Sequence, residues 1–181
     1  RQCGSSQQAA HFAAQGVIAG AYDIVIACGV ESMSRLPMGT SSIGQDSFGP
    51  GVAARYPEGL VNQGISAELI AAKWSFDRDA VDAYSARSHQ RAAAAIAAGN
   101  FDREIAPITV TNADGEQVVH SVDETVRAST TVEALAGLRP SFRTDEYAAR
   151  FPEAQWLITP GNSSPFTDGA SAVLIMSEEA A

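Results

Sequence analysis

The sequence predicts an α/β protein, and the arrangement of its two ends carries this prediction. Near each end a run of β-branched and other apolar residues lies next to a segment of helical character, "YDIVIACG" at residues 22–29 and "GASAVLIMS" at residues 169–177. Between them, helical patterns with capping residues surround a hairpin signal. The chain has 181 residues, the size of one domain or of one domain with a large insertion.

The first two elements are a helix and a strand. Gly4–Gly20 suits a helix that Ser5 and Ser6 can cap and that Gly20 can end. Most of its apolar face is alanine, which lets neighbouring elements approach closely, so the helix is predicted to be buried. The run at residues 22–29 follows at once and predicts a fully buried strand in a parallel arrangement.

The middle of the chain has a different composition. The predicted elements are, in order, an extended loop over residues 31–57, a helix over 64–74, a helix capped by Asp77 that runs to about Ala98 and is stopped by Gly99, a hairpin over 104–122 with its turn at Asp114-Gly115, a short helix over 130–138 and a polar stretch over 143–153.

The chain returns to a buried type of strand at its end. Residues 169–177 predict that strand, and Ser177 before two glutamates is a helix N-cap with acidic first-turn residues. The sequence thus starts just before one helix and stops one turn into another. This pattern predicts a fragment of a larger domain.

Composition excludes several classes of function. The chain has 12 Lys+Arg against 21 Asp+Glu, a net charge of −9, which argues against nucleic acid as a main partner. Two cysteines predict reduced thiols rather than a disulfide scaffold. No apolar run is long enough for a membrane span. The first residue is Arg1, so targeting is not readable; we expect the cytoplasm of a bacterium, with an organelle as the alternative.

Cys3 is the candidate for chemistry. A cysteine beside a helix N-terminus lies near the positive end of the helix dipole, which favours the nucleophilic thiolate, and Gly4 leaves room for a substrate carbonyl. A buried structural cysteine is the alternative. Cys28 ends an apolar run and is predicted to be a small buried hydrophobe. The spacing of His11, His89 and His120 gives no metal-ligand pair, and no Gly-rich phosphate loop is present, so neither a metal nor a cofactor is expected.

Four stretches together resemble the thiolase family, the acetyl-CoA acetyltransferases and 3-ketoacyl-CoA thiolases: "RQCGSSQQA", "IACGVESMS", the segment from "NQGISAE" to "SHQRA", and "LRPSF" followed by "GNSSPFTDGASAVLIMSEEA". The resemblance implies an incomplete thiolase-like α/β fold, part of the first βαβαβαββ half with an inserted α+β loop domain. Residues 1–30 would belong to that half, residues 31–155 would form the CoA-binding loop domain, and residues 156–181 would give the half its last strand and the start of a helix.

The resemblance also implies a reaction and a set of site residues. Cys3 would become acylated as 3-ketoacyl-CoA is cleaved to acyl-CoA and acetyl-CoA, as in fatty acid β-oxidation, or in the reverse Claisen condensation. Coenzyme A would be a substrate, so no cofactor is implied. By position, Ser164 matches the serine beside the pantetheine arm, Phe142 an aromatic of the CoA pocket and Arg127 an arginine near its adenine end. Simple packing is the alternative for Phe142, and a solvated charge is the alternative for Arg127. Ser141, Ser163 and Pro160 fall at neighbouring pocket positions. Asn62-Gln63 replaces the His-Met pair of many biosynthetic thiolases, at positions that would lie near the acyl-CoA. Cys28 stands where glycine is usual, with a packing change expected.

The family's remaining machinery is not in this sequence. It comprises an Asn-Glu-Ala-Phe segment, a Gly-His-Pro histidine and a Cys-x-Gly cysteine, all in the family's second half. The chain alone is therefore predicted to be inactive or nearly so. The alternatives are a non-catalytic fragment that binds CoA or supports oligomerisation, and a lipid-carrier-type relative. The family implies a homo-dimer or homo-tetramer, with the missing C-terminal half as a further partner.

Overall fold

The computed structural model describes residues 3–46 and 48–181, apart from the side chain at position 41, and contains two compact units. One comprises the described residues up to Gly49 together with Phe166–Ala181, and the other comprises Pro50–Pro165. In chain order, the elements are α1 (Ser5–Ile18), β1 (Ile24–Ser32), a 3-10 turn (Thr40–Ser42), α2 (Gly49–Arg55), α3 (Gln63–Lys73), α4 (Arg78–Ala97), β2 (Ile108–Thr111), β3 (Gln117–His120), α5 (Val132–Ala136), α6 (Asp145–Arg150), β4 (Asp168–Met176) and a final 3-10 turn (Glu178–Ala180). The assignment of residues 31–155 to a CoA-binding domain concerns function and stays a prediction.

The first unit is built on an antiparallel pair of strands. β1 pairs with β4 from Ile24 opposite Met176 to Ser32 opposite Asp168. The prediction of a fully buried, parallel strand was therefore wrong in both respects. An antiparallel pair can have one face packed and the other open, and here side chains such as Ile26 stay 65% exposed.

Helix α1 packs against this pair but is less buried than predicted. Ala13 is its buried residue, whereas Phe12 is 62% exposed. The helix begins at Ser5 with Gly4 as N-cap, so neither predicted serine is the cap residue. Its end was predicted correctly: Gly20 has φ 69°, its N–H donates to Val17 O at 3.0 Å, and Ala21 N–H donates to Gly16 O at 2.9 Å.

The second unit follows the predicted order of elements. The Asp77 side chain caps α4 by accepting from Ala80 N–H at 2.8 Å, Gly99 has φ 70°, and β2 and β3 form the predicted hairpin, with Gly115 at φ 83° in its turn. The short helix is α5. The structure adds α2 inside the predicted loop and α6 inside the predicted polar stretch.

The core of the second unit is partly polar. Ile65, Ala71, Ala86, Leu135, Leu157 and Ile158 are its buried apolar residues. The side chains of Glu68, Asp82 and Thr159 are also fully buried. A buried polar or charged side chain requires hydrogen-bond partners, so the hydrogen bonds of these three residues hold the surrounding segments in place. No helix in the described part of the chain is both long and apolar enough to cross a membrane.

Candidate functional site

The first unit contains an open cleft of about 670 Å³ beside the start of α1. Its lining combines two thiols with small, hydroxyl and acidic residues, among them Cys3, Ser6, Ala9, Cys28, Glu31 and Ser171. Cys3 is exposed and lies two residues before the first residue of α1. The structure therefore places the predicted nucleophile in a cleft that a substrate can reach.

A glycine on β1 allows the helix to approach this closely. A Cβ at position 29 would overlap Ser6 Oγ and would lie 3.2 Å from Ser6 Cβ. Because Gly29 has no side chain, the first turn of α1 rests on the strand itself. This contact sets the distance between the start of α1 and the strand pair, and therefore the position of Cys3.

Cys28 differs from its predicted role. It is exposed, so it is not a buried hydrophobe in this structure. Successive strand residues point to opposite faces, so Cys28 points away from the face on which Gly29 meets Ser6. Both cysteines are free thiols.

Asp168 closes the end of the strand pair next to the cleft, and sequence reasoning missed it. Its carboxylate accepts from the Ser34 hydroxyl and from Ser34 N–H, the latter at 2.8 Å, and from Ser32 Oγ at 3.5 Å. The Ser34 hydroxyl, followed by the Ser34 backbone N–H, holds the pKa of Asp168 below its ordinary value. The signal in the sequence was a serine pair after one strand and an aspartate at the start of its partner.

In the second unit, Phe142 lies against the first turn of α3. Gly64 is buried there, and a Cβ at that position would overlap the Phe142 ring. Asn62 caps the same helix by accepting from Ile65 N–H at 3.0 Å. The aromatic ring is thus adjacent to the predicted pocket positions Asn62 and Gln63, both of which are exposed.

A second set of contacts brings the serine-bearing segments to the same place. Ser141 N–H donates to Ile158 O at 2.8 Å, and Ser163 Oγ donates to Thr159 O at 2.7 Å. Pro160 lies between Thr159 and Ser163 in the chain, and Ser164 is exposed immediately after Ser163. All of the predicted CoA-pocket positions except one therefore lie on three segments that touch.

Arg127 is the exception. Its backbone N–H donates to His89 Nδ1 on α4 at 3.2 Å, and its side chain is exposed. The structure links it to α4 rather than to the three touching segments. Its predicted place near the adenine end of CoA stays a prediction.

The groups that hold the three segments were not identified from the sequence. Glu68 on α3 accepts from Leu157 N–H at 2.9 Å and from Ile158 N–H at 2.7 Å. Asp82 on α4 accepts from Arg78 and Asn162. A glutamate or aspartate inside a helix gives no sequence signal of burial. No group of three or more potential metal-ligating side chains occurs in residues 3–46 and 48–181.

Comparisons with known proteins agree on one family. The family described as "Thiolase, N-terminal domain" matches residues 1–179. A 3-ketoacyl-CoA thiolase of Pseudoalteromonas translucida is 41% identical over 98% of this chain and 42% of its own length. An acetyl-CoA acetyltransferase of Chromobacterium violaceum is 38% identical over 99% of this chain and 45% of its own length.

Solved structures give the same result. The dimeric peroxisomal thiolase of Saccharomyces cerevisiae superposes with a TM-score of 0.79 at 31% identity, covering 97% of this chain and 42% of the yeast chain. The human mitochondrial 3-ketoacyl-CoA thiolase gives a TM-score of 0.74 at 32% identity, covering 98% of this chain and 45% of the human chain. The chain spans less than half the length of these relatives. It has the fold expected for part of an α/β thiolase, and it belongs to the thiolase family.

Proposed function

We propose that this chain supplies the nucleophile and CoA-binding residues of a thiolase, an acyltransferase that acts on 3-ketoacyl-CoA. The observation that carries the proposal is the position of Cys3, an exposed thiol in an open cleft at the start of α1. The 3-ketoacyl-CoA thiolases among the relatives support the reaction class.

The chemistry assigned to Cys3 is acyl transfer in two steps. Its thiolate attacks the keto carbon at position 3 of the substrate, and the bond between carbons 2 and 3 then breaks. The electron pair leaves with carbon 2, which takes a proton and departs as acetyl-CoA, while the acyl group stays on sulfur. The thiolate of a second CoA attacks this thioester, forms acyl-CoA and releases Cys3. In reverse, the same steps are a Claisen condensation.

The start of α1 favours this chemistry in two ways, but the acid–base group that the reaction also needs lies elsewhere. Gly4 presents no side chain beside Cys3, so a carbonyl group can approach the sulfur. The positive end of the helix dipole stabilises the oxyanion that forms on attack. Proton transfer to and from carbon needs an acid–base group. We assign that group to the second half of a thiolase, so this chain by itself turns over slowly or not at all.

We assign CoA binding to the three touching segments of the second unit. Ser164 would contact the pantetheine arm, and the Phe142 ring against α3 would provide an apolar wall. Ser141, Ser163 and Pro160 would line the pocket, while Asn62 and Gln63 would face the acyl-CoA. Arg127 would meet the adenine end. The phosphates of CoA carry negative charge, so a local cation matters in a chain of net charge −9.

The assembly is also part of the proposal. We expect a homo-dimer or homo-tetramer, supported by the dimeric yeast relative. The C-terminal half of a thiolase is the further partner that would supply a histidine and a second cysteine. A bacterial cytoplasm is the proposed location, supported by the bacterial origin of the sequence relatives; an organelle is the alternative.

Acetylation of Cys3 is the direct test. The purified chain is incubated with acetyl-CoA, its intact mass is measured before and after, and the labelled peptide is mapped. We expect one acetyl group on Cys3, its loss in Cys3→Ser and its retention in Cys28→Ser. Because Cys28 is also an exposed free thiol, it is the control for nonspecific acylation.

The outcomes separate the candidate functions. Equal labelling of Cys3 and Cys28 would contradict a nucleophile tuned by the helix start. If no label forms and CoA still binds to the second unit, two explanations are left: a non-catalytic CoA-binding fragment, or a Cys3 that needs the histidine of a thiolase's second half. The second unit contains all of the assigned CoA residues, which is the observation that favours the CoA-binding fragment.

A further inference from the structure

Asp82 is a fully buried carboxylate on α4 with a partner on each side. Its Oδ2 accepts from Arg78 Nε at 2.6 Å, one turn earlier on the helix. Its Oδ1 accepts from Asn162 Nδ2 at 2.8 Å, from a segment 80 residues further along the chain. The two oxygens thus join a helix to a distant loop.

The Arg78 side leads to the segment that carries Ser141 and Phe142. Arg78 Nη2 donates to the carbonyl oxygens of Leu135 and Leu138, the latter at 3.2 Å, at the C-terminal end of α5. Leu135 lies in the last turn of α5, and Leu138 lies two residues beyond the helix. The chain continues from Leu138 directly into "RPSF", so Arg78 fixes where that segment begins.

The Asn162 side leads to the segment that carries Ser163 and Ser164. Asn162 Nδ2 also donates to Leu157 O at 3.0 Å, and its Oδ1 accepts from Thr159 N–H at 2.8 Å. The amide group is therefore fixed in one orientation, and it closes the turn that precedes the two serines. Because Asp82 sets the orientation of Asn162, it also sets the direction in which the chain leaves this turn toward Ser163 and Ser164.

We propose that Asp82 is a positioning residue for CoA: through Arg78 and Asn162 it holds the two serine-bearing segments in the relative arrangement that binds the ligand. The proposal rests on the proposed function of those segments. A buried ion pair is a poor source of stability compared with apolar packing of the same volume. What apolar packing could not reproduce is the fixed geometry that these directional hydrogen bonds impose on the two segments.

The test compares Asp82→Asn with Asp79→Asn, an exposed aspartate on the same helix. The Asp82→Asn change keeps the shape of the side chain but offers one oxygen to two donors, so one of the two partners meets an NH2 group. Coenzyme A is titrated into the 181-residue chain, and its Kd is measured by calorimetry. Amide NMR spectra of the same samples report on Ser141, Ser163 and Ser164.

We expect Asp82→Asn to raise the Kd for CoA about tenfold while the protein stays folded, and Asp79→Asn to leave it within about twofold. A folded Asp82→Asn protein with an unchanged Kd overturns the proposal, because a purely structural role would lower stability alone. Should that variant not fold, Asn162→Ala replaces it, since the Arg78–Asp82 pair is then kept.

The NMR spectra distinguish a failure of this proposal from a failure of the proposed function. If the wild-type chain does not bind CoA, the assignment of CoA to these segments is wrong. The positioning role is then decided by the amide shifts of the three serines. Shifts confined to Asp82→Asn support it, and spectra that match the Asp79→Asn control overturn it.

Discussion

Replacement of Glu68 tests how the segment at residues 157–158 is anchored. Both carboxylate oxygens are used, one by Leu157 N–H at 2.9 Å and the other by Ile158 N–H at 2.7 Å, and the side chain is fully buried. Glu68→Ala leaves two buried N–H groups without an acceptor. At about 1–3 kcal/mol for each unsatisfied group, the loss in unfolding free energy is about 2–6 kcal/mol.

Glu68→Gln separates the hydrogen bonds from the volume of the side chain. A glutamine presents one oxygen, so one N–H keeps its acceptor and the other meets an NH2 group. The expected loss is about 1–3 kcal/mol, near half the effect of Glu68→Ala. Since whole domains have only about 5–15 kcal/mol of stability, both losses are measurable by urea denaturation.

The control is Glu153→Gln, an exposed glutamate for which we expect a change within about 0.5 kcal/mol. Unfolding is followed by tryptophan fluorescence, to which Trp156 beside the anchored segment contributes. A Glu68→Gln variant as stable as the wild type would refute the reasoning, because it would show that the two N–H groups find other acceptors. Equal losses for Gln and Ala would show that the charge, rather than the number of acceptors, matters.

Two further predictions concern single contacts. Gly64→Ala should destabilise the chain by about 1–3 kcal/mol and weaken CoA binding, because the new Cβ would overlap the Phe142 ring. In a Phe142→Ala background, the same change should instead stabilise α3 by about 0.5–1 kcal/mol. Equal effects in both backgrounds would contradict the contact. In the folded chain, Asp168 has a pKa below its ordinary value of 3.8, so the unfolded chain binds this proton first as the pH falls. The stability that the Asp168 carboxylate contributes is therefore present above pH 3.8 and is lost as the pH falls through the lower folded pKa. Urea midpoints between about pH 5 and about pH 2.5 should therefore fall less steeply in Asp168→Asn than in the wild type, and parallel curves would contradict this link.

The sequence predicted several helix ends and turns that local rules decide. Asp77 at the start of α4, Gly20 at the end of α1 and Asp114-Gly115 in the hairpin act through their own backbone neighbourhood, and each is where it was predicted. Helix α6 was missed although Thr144 caps it by accepting from Tyr147 N–H at 3.1 Å. Its six residues are too polar to show an apolar face, so only the cap signalled it.

Strand direction and burial depend on what lies opposite, which a local pattern does not contain. An apolar run is compatible with a parallel or an antiparallel neighbour, and the partner of β1 lies at the other end of the chain. The exposure of Cys28 follows from the same cause. The buried acids were invisible for a related reason: Glu68 meets its two partners 89 and 90 residues away, and nothing in its own helix marks it as an acceptor.

The bonds made by Glu68 have a consequence for how this region can change in evolution. They are made to backbone N–H groups, which every residue except proline possesses. Leu157 and Ile158 can therefore exchange for other apolar side chains of similar size without loss of the anchor. Proline at either position would remove a donor. Selection can thus alter the side chains around the serine-bearing turn while the path of its backbone is inherited unchanged.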